Sequence, residues 1–484
     1  MIEAMPLPEI NTLQLGSETW STPAIKTKYA TFDSVIVACD RKGNVVAFDG
    51  SSGEKVWSFN ALATITASPV LIDLSEDLTV VIIGDEKGLL RALTLDNGEV
   101  LWQTRCGKAI RSTVAADNKT KTLYVGGYGA WFFCINAITG SIYWNKYLPK
   151  HEFFRGTKQG VVSSPLLADV DLDGELEVVT GMRSRRVFCM SAKTGTFKWF
   201  REFKYDPDSS PSFAVVDGKP LVFIGGGEHT SGAGDNSVFA LHGNDGSVCW
   251  KTKVGGGLDS SPVIADINGD GRLEVVITSL ADASCYALDA ASGKIIWRYK
   301  FGPTKYCRHD EKNICKLNGT DVYFTGDAIC RSYTTPLIAD LDNDGKFEVV
   351  VGSNNGQLVI LSGETGSILW TVDTEGMIRG SPVLADISND GINELLVCSN
   401  DKILIYQTSS KGPAWPMFKG NAQHTGWLNP DLSLPSGLNL PKQRYLWVKL
   451  IWYWLIKDLF RYFIFQFDRR VLKPFGLHIL DYYY

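Results

Sequence analysis

No charge of one sign dominates this chain: 48 lysines and arginines face 53 aspartates and glutamates over 484 residues, a formal charge of -5. The basic footprint that nucleic-acid binding demands is missing, so nucleic acid is set aside as a partner. Methionine is scarce, at 6, beside 47 glycines, 14 tryptophans and 18 tyrosines, a balance that favours many short strands and turns over long helices. Nucleophile-elbow, phosphate-loop and Ser-His-Asp signatures are absent, so no motif names a reaction. None of the 10 cysteines is adjacent to another, and no C-x-x-C pair occurs. The stretch Met1 to Leu15 has neither the basic nor the apolar region of a signal peptide. Cys39, Cys106, Cys134, Cys189, Cys249, Cys285 and Cys398 each sit alone in or beside apolar strand-like runs, as buried free thiols do. These features point to a cytoplasmic, membrane-associated protein; a removed leader would make it periplasmic or extracellular.

What is present is a repeat. A Gly followed four residues later by Trp recurs as Gly53/Trp57, Gly98/Trp102, Gly140/Trp144, Gly195/Trp199, Gly246/Trp250, Gly293/Trp297 and Gly366/Trp370, with Gly412/Trp415 as a shortened eighth copy. The Trp-to-Trp steps are 42 to 55 residues, except for one of 73, the length of a four-stranded propeller blade. Each copy opens on Ser-Pro or Thr-Pro, or in the third on Thr113-Val114, runs through two apolar strands, and closes on a Gly-turned hairpin ending in Trp. The expected fold is all-β: an eight-bladed propeller of four-stranded antiparallel blades over 1–427, a linker over 428–441 and a C-terminal helical tail over 442–484. The Trp is assigned to packing between blades.

The phrases VVAFDGSSGEKVW (45–57), CYALDAASGKIIW (285–297) and LVILSGETGSILW (358–370) resemble pyrroloquinoline-quinone-type (PQQ-like) propeller repeats, and AWPMFKGNAQHTG (414–426) resembles a Trp-Pro-Met-Phe segment of that superfamily. The resemblance covers about 15–427 and implies the fold; the superfamily spans dehydrogenases, assembly scaffolds and sensors. Its quinone-dependent dehydrogenases carry two adjacent cysteines beside the cofactor. This chain has no such pair, so PQQ is not expected.

Four loops between first and second strands have a chemistry of their own: Asp169-x-Asp171-x-Asp173-Gly174-x-x-Glu177, Asp266-x-Asn268-x-Asp270-Gly271-x-x-Glu274, Asp340-x-Asp342-x-Asp344-Gly345-x-x-Glu348 and Asp386-x-Ser388-x-Asp390-Gly391-x-x-Glu394. Oxygen ligands at positions 1, 3 and 5 with a turning Gly at 6 suit Ca2+, which takes six to eight oxygens. The closing carboxylate at 9, not 12, separates these loops from an EF-hand. They resemble the calcium loops of integrin-type FG-GAP repeats, which implies up to four structural ions stapling the outer edge of their blades, far from the channel. With full Asp sets, the first and third loops should bind most tightly. Asp73-x-Ser75-x-Asp77-Leu78 lacks the Gly and is read as empty.

The residue three before each repeat Pro should line the channel mouth: Trp20, Thr66, Arg111, Val162, Asp208, Asp259, Tyr333 and Arg379 (Val114 takes the Pro place after Arg111). Two Arg, two Asp and a Tyr suit a polar or anionic ligand and proton transfer. Two insertions add Glu228 and His229, and Cys307, His309, Cys315, Cys330 and Arg331. The cysteines lack zinc spacing and are read as a disulfide or free thiols.

In the tail, Lys449, Lys457, Asp458 and Arg461 interrupt the apolar run and disfavour a spanning helix. Trp447, Leu450, Trp454, Leu455 and Phe465 give it one apolar face, for a membrane surface or for docking on protein. The first reading is therefore a calcium-stiffened binding or scaffold module attached through this tail, with a small molecule or protein at the mouth. The alternative is a lyase- or cyclase-like enzyme on a small lipophilic substrate, with Asp208 or Asp259 as base, Arg111 and Arg379 holding negative charge and Tyr333 donating a proton.

Overall fold

The computed structural model describes residues 7–149, 160–227, 236–280, 282–302, 307–309, 314–317, 320–325, 332–415, 417–421 and 424–426. A first compact unit spans Met1–Asp431 and a second Leu432–Tyr484. The expected tail helix, Glu228, His229, Cys330 and Arg331 lie outside the described residues, as do the side chains of Cys307, His309 and Cys315.

Seven antiparallel sheets follow one another in the order of the chain, each with its first strand innermost: blades 1 (24–60), 2 (70–105), 3 (115–147), 4 (166–202), 5 (212–253), 6 (263–300) and 7 (337–373). The eighth takes its three inner strands from 383–407 and its outermost from Glu9–Gln14, which pairs Leu13 with Ile403. The ring is thus closed by joining the two ends of the propeller chain. The 73-residue step holds a separate three-stranded sheet of Cys307–His309, Ile314–Leu317 and Thr320–Thr325.

The Gly/Trp repeat works between blades. In blades 1–6 the Trp donates its indole N–H to a carbonyl of the next blade, as Trp57 to Leu95 (2.6 Å), Trp102 to Ala137 (2.8 Å), Trp199 to Gly243 (2.6 Å) and Trp297 to Gly363 (2.7 Å). Its ring lies on the Gly of that blade: a methyl on Gly98 would stand 2.5 Å from Trp57, and one on Gly246 2.5 Å from Trp199. These glycines turn the last hairpin at φ near +70° (+72° at Gly98, +68° at Gly246), a region costly for other residues. The Ser/Thr-Pro signature has an equally local cause. In seven of the eight copies the hydroxyl at this place accepts the backbone N–H of its counterpart in the preceding blade: Thr22 N–H to Ser68, Ser68 to Thr113, Thr113 to Ser164, Ser164 to Ser210, Ser261 to Thr335, Thr335 to Ser381 and Ser381 to Thr22, at 2.9–3.1 Å. This belt of buried hydrogen bonds circles the axis and skips only the step from Ser210 to Ser261.

Trp415 corrects the repeat count. Seven Gly/Trp copies close blades 1–7, whereas Pro413–Trp415 adds to the inner edge of blade 7, pairing Ile338 with Trp415. An innermost strand offers one row of N–H and C=O groups to the axis, and these need partners. Residues 413–426 supply them: Leu167 N–H donates to Thr425 O (2.8 Å), Phe213 N–H to Gly426 O (3.2 Å), and Lys419 Nζ donates to Pro211 O. Lys419 and His424 are fully buried there (0% and 1% exposed). The chain therefore fills its own axial channel.

Candidate functional site

The four acidic loops fold as their spacing demands, and all lie on the face where the inner strands end. In the third, Asp340 accepts the N–H groups of Asp344 (3.1 Å) and Gly345 (2.9 Å), while buried Glu348 accepts Leu341 N–H (2.7 Å). Carboxylate oxygens of Asp340, Asp342 and Asp344 converge within 4.8 Å of one another. Burial, then the neighbouring aspartates, pushes Glu348 up to about 8; the same causes push Glu274 up to about 7 and raise Glu394. No cationic side chain pairs with the second, third or fourth loop among the described residues, and of these three it is the third whose convergent carboxylates could hold a metal ion.

The first loop is different. Lys198, on the outermost strand of the same blade, places Nζ 2.7 Å from Asp171, 2.8 Å from Asp173 and 2.7 Å from Glu177. Burial pulls the ammonium down, yet these three acceptors hold it well above its ordinary range. The ammonium sits among the same carboxylates, of which Asp169, Asp171 and Glu177 bring oxygens within 4.8 Å of one another. Aligning strands on the repeat Trp puts Ile296 and Leu369 at the equivalent position in the second and third loops. The expected place of the loops at the outer edge is corrected. They join innermost to second strands, on the axial side, and Ser409 N–H donates to Leu341 O (2.9 Å) where the chain turns into the channel. In the incomplete relative, Asp73 accepts Lys26 Nζ (2.7 Å) and Thr79 Oγ1 (2.6 Å).

At the opposite face, the expected ring of mouth residues splits into two sectors. Asp208 is paired with Arg183 (Nε to Oδ2, 2.7 Å), which also feels Asp259 and donates to the Tyr128 hydroxyl (3.3 Å). Arg111 is held by Glu86 through two bonds of 3.0 and 3.1 Å. Across the mouth, Arg379 lies over Trp20 (4.2 Å to the ring centre) and Tyr333 (5.3 Å), with Arg41 also over Trp20 (4.0 Å). Arg41, Glu86, Tyr128 and Arg183 went unread in the sequence. Each follows the end of a second strand (Cys39, Gly84, Gly126, Met182), and that turn opens on the same face as the inner-strand entry.

A family model described as outer membrane protein assembly factor BamB matches residues 86–203 and 183–324. Over that stretch the chain is similar to PQQ-like repeats of the BamB type. The matched stretch of these BamB-type repeats runs from blade 2 to the inserted sheet. The BamB of Shewanella oneidensis is 25% identical over 367 residues, 70% of this chain and 75% of that protein. The quinoprotein ethanol dehydrogenase of Pseudomonas aeruginosa is 28% identical over 158 residues, 31% of this chain and only 24% of that protein. The crystal structure of Moraxella catarrhalis BamB superposes with a TM-score of 0.56 at 17% identity, covering 83% of this chain and all of that one, which supports the propeller fold.

Proposed function

We propose that this chain is a calcium-stiffened propeller that acts as a protein-binding scaffold, of the kind its relatives' name assigns to outer-membrane protein assembly. The observation that carries the reading is the filled axis. A ligand or cofactor on the axis would have to displace residues 413–426, together with two fully buried ionisable side chains. Binding is thereby moved to the outside, where blade 3 exposes Tyr143 (58%) and Tyr147 (44%) on its outermost strand beside exposed Ile142, with Trp131 (39%) paired to Tyr147 from the third strand. Aromatic side chains of this kind anchor protein interfaces. The similarity points the same way, because it spans three quarters of an assembly factor and a quarter of a dehydrogenase.

In this reading the second, third and fourth loops hold structural Ca2+ in the FG-GAP manner through Asp266, Asn268, Asp270, Glu274, Asp340, Asp342, Asp344, Glu348, Asp386, Ser388, Asp390 and Glu394. In the first, Asp169, Asp171, Asp173 and Glu177 are closed by Lys198. The ions stiffen the hairpins that flank the channel entry and take no part in chemistry. The cytoplasmic expectation gives way to an extracytoplasmic one, since weak calcium sites fill where calcium is abundant. The thiols do not oppose this: burial pushes Cys106, Cys134 and Cys398 up to about 12, and such thiols are inert to oxidation. Segment 442–484 attaches the scaffold to a membrane surface or a partner.

Site-specific photocrosslinking in the native cell tests the scaffold. Crosslinkers at Tyr143 and Trp131 should each yield one discrete protein adduct, and one at exposed Glu364 none. Absence of adducts at both positions, with alcohol-dependent dye reduction by the purified chain and added PQQ, would overturn it.

A further inference from the structure

Among the charged groups of the mouth, Arg379 stands apart. Arg183 has Asp208, Arg111 has Glu86 and Arg186 has Glu202 (2.8 Å). Arg379 has no hydrogen bond and no ion pair among the described residues, and its Nε is shut off from solvent with no acceptor. A guanidinium N–H left in this way is costly, because the donor loses water and gains nothing. Burial accordingly pulls its pKa down. Its planar head is nonetheless held firmly by stacking on Trp20 and Tyr333, an arrangement in which rings fix the faces and leave the donor edge to recognise something else.

The sector's charge defines that something. Its one carboxylate is Glu18, and both oxygens are already used: Oε1 accepts Trp20 Nε1 (2.6 Å) and Oε2 pairs with Arg41 (3.4 Å). Two guanidiniums against one carboxylate leave a single positive charge uncompensated. The Tyr333 hydroxyl, beside Arg379, has no bonded partner among the described residues and supplies one further donor. Asp208 and Asp259 on the other side of the mouth would repel a dianion more than a monoanion.

We propose that the blade 7–8–1 sector of the mouth is a monoanion site, in which Arg379 takes a carboxylate in its two-pronged fork and Tyr333 donates to the same group. Trp20 and Arg41 form its wall, with Glu18 fixing both. Phosphate dianion and neutral amides are poorer fits. The site does not depend on the scaffold reading, because it uses neither blade 3 nor the calcium loops. The carboxylate comes either from a free small molecule or from the end of a polypeptide.

Calorimetric titration of the full chain at low salt tests this, with benzoate as probe, benzamide as its neutral isostere, and two otherwise identical pentapeptides with a free or an amidated C-terminus. Benzoate should bind at least about tenfold tighter than benzamide, because only the charged form makes the paired bonds. Arg379→Gln should remove that preference, Arg379→Lys should weaken it by keeping the charge without the fork, and Arg111→Gln should leave it intact. A free-terminus peptide that binds tighter than benzoate assigns the site to a polypeptide end; one that binds no tighter assigns it to a small carboxylate. Equal binding of benzoate and benzamide overturns the proposal, as does full binding by Arg379→Gln. Should the Gln variant fail to fold, the Lys variant and Tyr333→Phe decide: undiminished benzoate binding in both overturns it.

Discussion

The contact between blades makes Gly246→Ala a severe substitution, for reasons that separate cleanly. At φ +68° an alanine pays the left-handed penalty of about 1–2 kcal/mol. Its methyl would also stand 2.5, 2.8 and 2.9 Å from three ring carbons of Trp199. That ring is 3% exposed and pinned through its N–H to Gly243 O at 2.6 Å, so it has little room to retreat. Overpacking of this sort adds about 1–3 kcal/mol, for a total of roughly 2–5 kcal/mol. Gly218 is the control within the same blade, with φ +72° and nothing within 4 Å of an added methyl; Gly218→Ala should cost about 1–2 kcal/mol. Urea unfolding at 25 °C, followed by tryptophan fluorescence and circular dichroism, measures both. In the Trp199→Leu background the extra cost of Gly246→Ala should vanish, as coupled neighbours require. If the two glycine variants agree within about 0.5 kcal/mol, or if the extra cost survives loss of the indole, the Gly/Trp repeat is not an inter-blade contact of the kind described.

Three further outcomes are expected. Lys198→Met strips the first loop of its internal cation and leaves Asp171, Asp173 and Glu177 uncompensated, so melting in EDTA should fall by the equivalent of about 3–5 kcal/mol, with recovery in millimolar Ca2+; an unchanged melt in EDTA would deny the lysine its role. Burial first, then Lys419, pulls His424 down to about 3 from 6.5, so the unfolded chain binds a proton that the folded chain refuses between those values. Stability is therefore lost as pH falls from 6.5 towards 3, by about 1.4 kcal/mol per unit; His424→Gln should lack this part of the acid limb, and identical limbs for both proteins would refute it. Deleting 442–484 should abolish co-sedimentation with anionic liposomes, and undiminished sedimentation would remove the membrane reading of the tail.

The eight blades were legible because their cause is periodic. A Trp that must reach the next blade, and a hydroxyl that must accept from the preceding one, recur wherever a blade recurs. The acidic loops between first and second strands were legible for the same reason, since their Asp and Gly spacing repeats within a few residues. What could not be read was non-local. Lys198 lies 21 residues beyond Glu177 and reaches the first loop only because the fourth strand folds back past the third. The mouth was half legible: taking one residue per blade found Arg379, Tyr333 and Asp208, but the partners that decide their chemistry, Arg41 and Arg183, come from a second set of turns on the same face. Asp208 was read as a candidate base without sight of its ion pair to Arg183. Trp415 satisfied the repeat spacing while serving another end, because spacing along the chain does not tell a blade's outer strand from a strand laid on the axis.

That axial strand changes how the fold holds together. In a propeller each blade touches only its two neighbours, so stability is close to a sum of nearest-neighbour terms and one weak interface could open alone. Here the Glu9–Gln14 strand closes the ring through blade 8, while residues 413–426 bond to blades 4, 5 and 7, and His424 faces the Pro69 carbonyl of blade 2. Blades that never meet around the ring are thereby joined across its centre. The hydroxyl belt is broken only between Ser210 and Ser261, and the same blade 5 receives both Lys419 on Pro211 and Gly426 on Phe213. Opening that step therefore means withdrawing the axial segment as well. Withdrawal exposes the inner-edge N–H and C=O groups of several blades at once, each of which costs free energy if left unpaired. Local opening at one interface is thereby coupled to the whole ring, which is the property a rigid scaffold requires and a channel kept free for ligand entry would give up.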